Sequence, residues 1–580
     1  MRTAFFYVAS PTHSSSRSIQ RGGRPVRLYR RLRIAAALAV FLSLTAALVD
    51  FRELVPVRFG HWLAAIQFVP ALVAATAGVM VSAAILGVLV VLTLLFGRVY
   101  CSVICPLGVF QDVVSRVARL AGSRKRPLAF AQPHTRLRQT VLWAVVAATL
   151  TGWGGLGLAL VDPYSNYGRI VSAFFRPLLT WANNAATGLA NKIGLLSVYR
   201  VDLPLHGLGA LVVPSLVLTA VAVLAARKGR LYCNTFCPVG TVLGLLSRKA
   251  AFRIAIDKDA CTKCGACFRA CKAQCIDLRA GAVDFDRCVA CFDCVGVCED
   301  HGIGYQFSWI RRPDAATKPR ERRQAVASDT GATREPRRTF LGRSFTLVAA
   351  GLWAFARGRA AEPTVGPAGP IPPRGATPES DGAAGIRDID PLRRHAISPP
   401  GSIGVRRFLD RCTACHLCVS ACPKHVLQPA VFEYGLEGLM KPRMDFTASF
   451  CDFDCTKCVD VCPDGALERI PVAQKQAEQL GLAYFDPGKC IVTTKGTDCA
   501  ACSEHCPTKA VYTVPYGNNL RLPTVDRDMC IGCGACEYAC PVQPVKAIEV
   551  SGLRTHGLAR KDNPRQPKAL KPPAEGDFPF

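Results

Sequence analysis

The chain is poor in acidic residues and in the motifs that mark most soluble enzymes. It has 42 Asp and Glu against 71 Lys and Arg, so 580 residues carry a formal net charge of +29. No Ser/His/Asp arrangement, phosphate-binding loop or dinucleotide fingerprint is present, so the sequence gives no sign of hydrolytic or nucleotide chemistry. The basic residues are not interleaved with aromatic ones, which argues against a nucleic-acid partner.

Hydrophobic residues are plentiful, at 50% of the chain, and they are concentrated near the N-terminus. Pro70 interrupts the second of four long apolar stretches, where we expect a tilt, a kink or a partial helix. Lys and Arg cluster before the first stretch, after the second and after the fourth, which predicts that these segments face the cytoplasm. A bilayer needs about 20 apolar residues. The four candidate spans run roughly over 33–50, 64–97, 138–160 and 205–226.

An internal repeat supports this membrane arrangement. Residues 97–116 read GRVYCSVICPLGVFQDVVSR and residues 229–248 read GRLYCNTFCPVGTVLGLLSR. Two such copies predict a pseudo-twofold bundle of four membrane helices. Each copy contains Cys-x3-Cys-Pro, and cysteines four apart share a helix face, so the two pairs could hold a metal or cluster. The alternative is a thiol redox or structural role. The four cysteines are Cys101, Cys105, Cys233 and Cys237.

Most of the 29 cysteines lie in tight runs of four, which suit iron–sulfur clusters better than disulfides. The alternative is that these cysteines bind zinc. Two runs between 261 and 298 predict a two-cluster ferredoxin domain, in which each run lends its last cysteine to the other cluster. Cys275 is an extra cysteine that could replace Cys271, and Lys272 stands where proline is usual. The predicted groups are Cys261, Cys264, Cys267 with Cys298, and Cys288, Cys291, Cys294 with Cys271 or Cys275.

Four more runs between 412 and 540 each end in Cys-Pro and predict four further clusters. The second and third runs are stretched before their second cysteine, which suggests one ferredoxin-like pair nested inside another. The predicted groups are Cys412, Cys415, Cys418 with Cys540; Cys530, Cys533, Cys536 with Cys422; Cys451, Cys455, Cys458 with Cys506; and Cys490, Cys499, Cys502 with Cys462.

Several histidines lie near these features. His61 and His206 begin the second and fourth spans, where they could accept protons or bind haem, or simply sit at the membrane interface. His416, His425 and His505 adjoin cluster motifs and are predicted to face solvent or to tune a cluster without ligating it.

A linker separates the two cysteine-rich parts. Within it, Arg337-Arg338-Thr339-Phe340-Leu341 precedes an apolar run at 344–356 and looks like a twin-arginine export signal. A folded-protein exporter suits clusters that are loaded in the cytoplasm. The alternative is an interfacial helix on a cytoplasmic linker.

These motifs carry a family resemblance. Residues 30–300, with four apolar stretches, two Cys-x3-Cys-Pro motifs and a two-cluster tail, resemble NapH-type membrane ferredoxins. Residues 335–555, with a twin-arginine leader and four clusters, resemble NapG/MauM-type ferredoxins. The resemblance implies a fusion of both partners, which would oxidise membrane quinol and pass electrons to a periplasmic reductase or cytochrome c. Related proteins also imply an alternative, a reductase that matures a metalloenzyme.

The predicted fold is therefore multidomain, an α-helical membrane bundle with α+β ferredoxin-like domains in a bacterial inner membrane. We expect six [4Fe-4S] clusters, and a seventh if the membrane cysteines bind one. Residues 251–309 are predicted to be cytoplasmic and 401–580 periplasmic. The predicted segments are a basic arm at 1–32, a membrane domain at 33–250, a two-cluster domain at 251–309, a linker at 310–400, a four-cluster domain at 401–555 and a tail at 556–580.

Overall fold

The computed structural model describes three parts of the chain. We call them the helical half (residues 24–250), the central ferredoxin region (251–307) and the C-terminal ferredoxin region (395–561). The predicted export signal and its apolar run lie outside the described residues. The described residues are 24–122, 130–151, 153–192, 199–203, 206–257, 259–300, 302–307, 395–517 and 519–561.

Among the described residues of the helical half, two helices are long and apolar enough to cross a membrane, Leu28–Val49 and Leu208–Lys228. A third candidate is the pair Val57–Ala65 and Phe68–Thr76, which is bent by 88°. The helices are α1 Arg24–Val49, α2 Val57–Ala65, α3 Phe68–Thr76, α4 Met80–Phe96, α5 Tyr100–Val103, α6 Pro106–Leu120, α7 Thr135–Leu150, α8 Gly154–Val161, α9 Pro163–Ile170, a π-helical turn Val171–Phe175, α10 Arg176–Lys192, α11 Leu208–Lys228, α12 Leu231–Thr235 and α13 Pro238–Ser247.

The second predicted span is not one helix. Pro70 lies in the first turn of α3, where a missing N–H is tolerated, so the break falls before it, at Ile66 and Gln67. Gly78 takes a left-handed conformation (φ +89°) and separates α3 from α4. The third predicted span is likewise divided, between α7 and α8.

The two sequence repeats form matching structures that are intertwined. In each copy a short helix, α5 or α12, leads through Cys-Pro into a longer helix, α6 or α13, with proline in its first turn. Helix α6 of the first copy packs on α11, the helix before the second copy, and α13 of the second copy packs on α4, the helix before the first. The repeat therefore encloses one shared interior.

The central ferredoxin region is a small α+β unit. Strands β1 and β4 pair antiparallel, from Phe252 opposite Phe307 to Ile256 opposite Ile303. Its elements are β1 Phe252–Ile256, α14 Ala266–Ala270, β2 Ile276–Asp277, β3 Ala282–Val283, α15 Asp293–Gly296 and β4 Ile303–Phe307.

The C-terminal ferredoxin region joins short cysteine-bearing helices to antiparallel strand pairs β5–β6, β7–β10 and β8–β9. Its elements are α16 Val405–Arg411, α17 Leu417–Ala421, β5 Leu427–Pro429, a 3-10 turn Leu436–Gly438, β6 Pro442–Met444, α18 Lys457–Val461, α19 Val472–Lys475, β7 Glu478–Phe485, a 3-10 turn Pro487–Lys489, α20 Ile491–Lys495, α21 Ala501–Glu504, β8 Val511–Tyr516, β9 Leu520–Val525, α22 Ala535–Ala539 and β10 Ile548–Leu558.

The two ferredoxin regions contact different ends of helix α1. Arg30, near its start, donates to Asp293 of the central region at 2.9 Å. Glu53, just beyond its end, pairs with Lys457 of the C-terminal region. At 1.5 Å per residue, the 26 residues of α1 span about 39 Å. The helical half therefore lies between the two cysteine-rich regions.

Candidate iron–sulfur cluster sites

The central region brings together the first predicted set of four cysteines. An open cleft is lined by Cys261, Cys264, Cys267 and Cys298. The left-handed Gly265 (φ +75°) turns the chain so that α14 can begin with Cys267 on its first turn. Four converging thiols in a cleft are the donor set that a [4Fe-4S] cluster uses.

The second central set contains one cysteine too many. Burial raises the pKa of Cys294 well above its usual value, and neighbouring thiols including Cys271 raise it further. The sulfur of Cys275 lies 3.5 Å from that of Cys271 and interacts with Cys288. Both cysteines thus reach the group formed by Cys288, Cys291 and Cys294.

The contacts of Lys272 explain why lysine stands where proline is usual. Its Nζ forms an ion pair with Asp112 of α6 at 2.7 Å. Its carbonyl accepts the backbone N–H of Arg230 at 3.0 Å. The residue after the fourth cysteine therefore ties the central region to both repeats of the helical half.

In the C-terminal region the first motif faces the second. Burial raises the pKa of Cys418 well above its usual value, and the other thiols of its motif and then Cys462 raise it further. Burial likewise raises the pKa of Cys458, with Cys422 among the thiols that add to it. Helices α17 and α18 pack together. The groups are Cys412, Cys415, Cys418 with Cys462, called site A, and Cys451, Cys455, Cys458 with Cys422, called site B.

The third motif faces the fourth in the same way. An open cleft is lined by Cys490, Cys499, Cys502 and Cys540. Burial raises the pKa of Cys536 well above its usual value, and Cys506 is among the thiols that raise it further. We call Cys530, Cys533, Cys536 with Cys506 site C, and Cys490, Cys499, Cys502 with Cys540 site D.

The predicted nested pairing is therefore wrong. It assigned Cys540 to the first motif and Cys462 to the third, because both inner motifs have stretched spacing. In the structure, motifs that are consecutive along the chain face each other, since α17 packs on α18 and α21 packs on α22. The extra residues in the two inner motifs lengthen a local loop and do not determine which motif faces which.

The four cysteines of the helical half share one buried site, which we call site M. Each is at most 4% exposed, and Cys105 interacts electrostatically with the other three. In both repeats the second cysteine precedes a helix, and the N–H of Gly240 donates to Cys237 Sγ at 3.3 Å. The members of site M are Cys101, Cys105, Cys233 and Cys237.

Two buried arginines cross between the repeats at site M. Arg98 donates to the carbonyl of Cys233 at 3.2 Å, and its Nη2 lies 3.7 Å from Cys101 Sγ. Arg230 donates to the carbonyl of Cys101. Their side chains are at most 1% exposed, and the Nε of Arg98 has no hydrogen-bond partner among the described residues. Two guanidinium groups offset the negative charge of thiolates, so this donor set fits a cluster.

Sequence reasoning missed several polar groups around site M. Gln111 donates to Cys233 Sγ at 3.1 Å. The hydroxyl of Tyr100 donates to Gln67 at 3.1 Å, and that of Tyr232 accepts from Asn166 at 3.4 Å. Arg98, Arg230 and both tyrosines were visible as matching positions of the repeat. The amide residues were not, because they belong to no repeated motif.

The histidines are more enclosed than predicted. His416 is buried between Ser172 Oγ (2.9 Å) and the Met440 carbonyl (2.8 Å), and burial lowers its pKa to about 3, so it is neutral. Burial also lowers the pKa of His425, to about 4. His206 bonds Gln428 of the C-terminal region at 2.8 Å. Of this group only His505 is exposed.

Comparison with known protein families agrees with these sites. A 4Fe-4S binding domain model matches residues 78–128 and 210–256, which contain site M. Another 4Fe-4S binding domain model matches 258–274. Two 4Fe-4S dicluster domain models match 411–467 and 495–544, which correspond to the consecutive motif pairs. The chain therefore carries several [4Fe-4S] clusters.

Named relatives match about a quarter of the chain. The methylamine utilization ferredoxin-type protein MauM of Methylorubrum extorquens is 36% identical over 154 residues, 25% of this chain and 68% of that protein. The ferredoxin-type protein NapG of Escherichia coli is 33% identical over 168 residues, 27% of this chain and 71% of that protein. The NapF protein of the same species is 28% identical over 153 residues, 26% of this chain and 85% of NapF. No solved structure matches. The chain belongs to the family of ferredoxin-type iron–sulfur electron-transfer proteins that includes MauM and NapG.

Proposed function

We propose that this chain oxidises membrane quinol and passes the electrons to an acceptor protein on the outer side of a bacterial inner membrane. The observation that carries the proposal is the position of site M. It lies buried between apolar helices, with a ferredoxin region at each end of the helical half. The resemblance of residues 30–300 to NapH-type proteins supports the same function.

Quinol oxidation releases two electrons and two protons, so the site needs hydrogen-bonding groups beside an electron acceptor. Tyr100 with Gln67 and Tyr232 with Asn166 supply such groups next to the cysteines of site M. In each pair the tyrosine precedes a cysteine of site M; Gln67 lies at the break before α3, and Asn166 lies in α9. These pairs are our candidates for orienting the quinol hydroxyls. His61 and His206 remain candidates for taking up the protons.

We propose that site M holds a seventh cluster beside the six of the ferredoxin regions. Its four thiolates would ligate the irons, while Arg98, Arg230 and Gln111 stabilise the thiolate charge. A [4Fe-4S] cluster supplies one-electron redox chemistry at a potential that hydrogen bonds and burial adjust.

Reduction by quinol in native membranes tests the proposal. Membranes that contain the protein are incubated anaerobically with menaquinol or ubiquinol, and cluster reduction is followed by electron paramagnetic resonance (EPR). We expect quinol to reduce clusters in the wild type and less so in Tyr100→Phe combined with Tyr232→Phe, while dithionite reduces both alike. Reduction by dithionite and not by either quinol would reject the quinol reaction and favour the maturation alternative.

A further inference from the structure

Helix α9 is in direct backbone contact with the first motif of the C-terminal region. A methyl group added at Gly168 would overlap the carbonyl oxygen of Cys415. The buried side chain of Tyr164, one turn earlier on α9, lies against the same cysteine. A cluster-binding loop can approach a helix this closely only where the helix has no side chain.

Further contacts hold the same two surfaces together. His416 bonds Ser172, which follows α9, at 2.9 Å. A methyl group added at Gly155 of α8 would overlap the carbonyl of Leu409, which also accepts a hydrogen bond from Lys441. Two glycines and a buried histidine therefore indicate a fixed, complementary interface.

The opposite side of α9 faces site M. Asn166 donates to the hydroxyl of Tyr232, the residue before Cys233. Gly168, which contacts Cys415, lies two residues further along, on the other side of the same helix. One turn of α9 therefore contacts both a neighbour of site M and a cysteine of site A.

We propose that α9 is the electron-transfer junction between the helical half and the C-terminal region, and that site A is the first acceptor beyond it. The inference rests on the proposed function for the source of the electrons. The step moves one electron from site M to site A, and no bond forms or breaks and no proton moves. The four-cluster region then acts as a fixed extension of this chain and not as a shuttle.

The order of the remaining sites follows from their contacts. Sites A and B share the packed helices α17 and α18. The N–H of Cys451 in site B donates to the carbonyl of Cys533 in site C at 2.9 Å. Cys536 of site C interacts with Cys502 of site D. Site D opens to the surface through its cleft, so an acceptor protein would meet the chain there.

The test compares two glycine-to-alanine variants of the full-length chain. In Gly168→Ala the added methyl overlaps the carbonyl of Cys415, whereas in the control Gly188→Ala nothing lies within 4 Å of it. Hydrogen–deuterium exchange of residues 412–421 reports docking without reference to electron transfer. We expect the protection of the 412–421 amides against exchange to fall about tenfold in Gly168→Ala and to be unchanged in Gly188→Ala. Gly155→Ala serves as a second disrupting variant if Gly168→Ala does not fold.

The electron-transfer readout is the rate at which the C-terminal clusters are reduced after rapid mixing with quinol. We expect a decrease of about tenfold in Gly168→Ala, with unchanged iron content and unchanged reduction by dithionite. Equal rates in both variants, or unprotected 412–421 in the wild type, would overturn the junction. A wild type that quinol fails to reduce, but that shows the protection pattern, would reject the quinol reaction and retain the docking.

Discussion

At the scale of single residues, Tyr164 has the clearest expected effect on a cluster. Its buried hydroxyl lies beside Cys415 of site A and has no hydrogen-bond partner among the described residues, so it is placed to donate to a sulfur of that site. A hydrogen bond to a cluster sulfur stabilises the reduced, more negative state. We expect Tyr164→Phe to lower the midpoint potential of one cluster by about 20 to 60 mV, from a hydrogen bond of about 0.5 to 1.5 kcal/mol. EPR-monitored redox titration measures it, with the exposed Tyr516→Phe as control. An unshifted set of potentials would show that this hydroxyl does not act on the cluster.

Asp112 has a structural role that the sequence did not indicate. Its carboxylate accepts from both Arg230 and Lys272 at 2.7 Å. Burial alone would raise its pKa, but the two cations outweigh burial and hold the pKa well below its usual range. This contribution is present above the ordinary carboxyl pKa of about 3.9 and is lost only as the pH falls below it.

Substitution therefore tests this group better than mild acid does. We expect Asp112→Asn to destabilise the chain by about 3 kcal/mol, because it leaves the 1%-exposed Arg230 without its anion. Glu468→Gln, which removes the exposed partner of Arg407, should cost at most about 1 kcal/mol. Guanidinium unfolding followed by cluster absorbance compares the two variants. Equal unfolding midpoints for the two variants would mean that the buried ion pair stabilises the chain no more than the exposed one.

At the scale of elements, the two halves of site M depend on matching glycines. A methyl group at Gly108 would overlap the carbonyl of Cys101, and one at Gly240 would overlap that of Cys233. We expect Gly108→Ala or Gly240→Ala to displace the cysteine-bearing helix and to lower the iron content by about four atoms per chain, from about 28 to about 24. Gly87→Ala in α4, with nothing within 4 Å, is the control. Iron analysis of purified protein gives the result, and unchanged iron in all three variants would argue against a cluster in site M.

Among the elements, the sequence predicts the cysteine motifs most directly, and the structure brings Cys261, Cys264 and Cys267 together in one cleft. Their spacing is local, so the groups at Cys261–Cys267 and Cys288–Cys294 follow from the chain itself. The partner of each motif was predicted incorrectly in the C-terminal region, because pairing depends on how α17, α18, α21 and α22 pack. The breaks at Gln67 and Gly78 were only partly foreseen, since hydropathy measures composition and not backbone continuity.

At the scale of the whole molecule, charge predicts that the N-terminal arm and the central region face the cytoplasm, and the twin-arginine signal predicts that the C-terminal region is exported. Basic residues near the central region, such as Arg138 and Arg248, are paired with Asp286 there, and positive charge favours the cytoplasmic side. We expect protease added to intact spheroplasts to remove an epitope placed after Phe580, and to remove one placed before Met1 only after lysis. Digestion of both epitopes, or of neither, in intact spheroplasts would contradict the proposed orientation.

Site M also bears on the origin of the helical half. Arg98 of the first repeat reaches the carbonyl of Cys233, and Arg230 of the second reaches that of Cys101. Neither repeat could therefore form its cysteine loop alone, because the arginine that bonds each loop comes from the other repeat. An ancestral polypeptide with one such unit could have completed the pocket only by homodimerising. Gene duplication and fusion would then have made that dimer permanent within one chain.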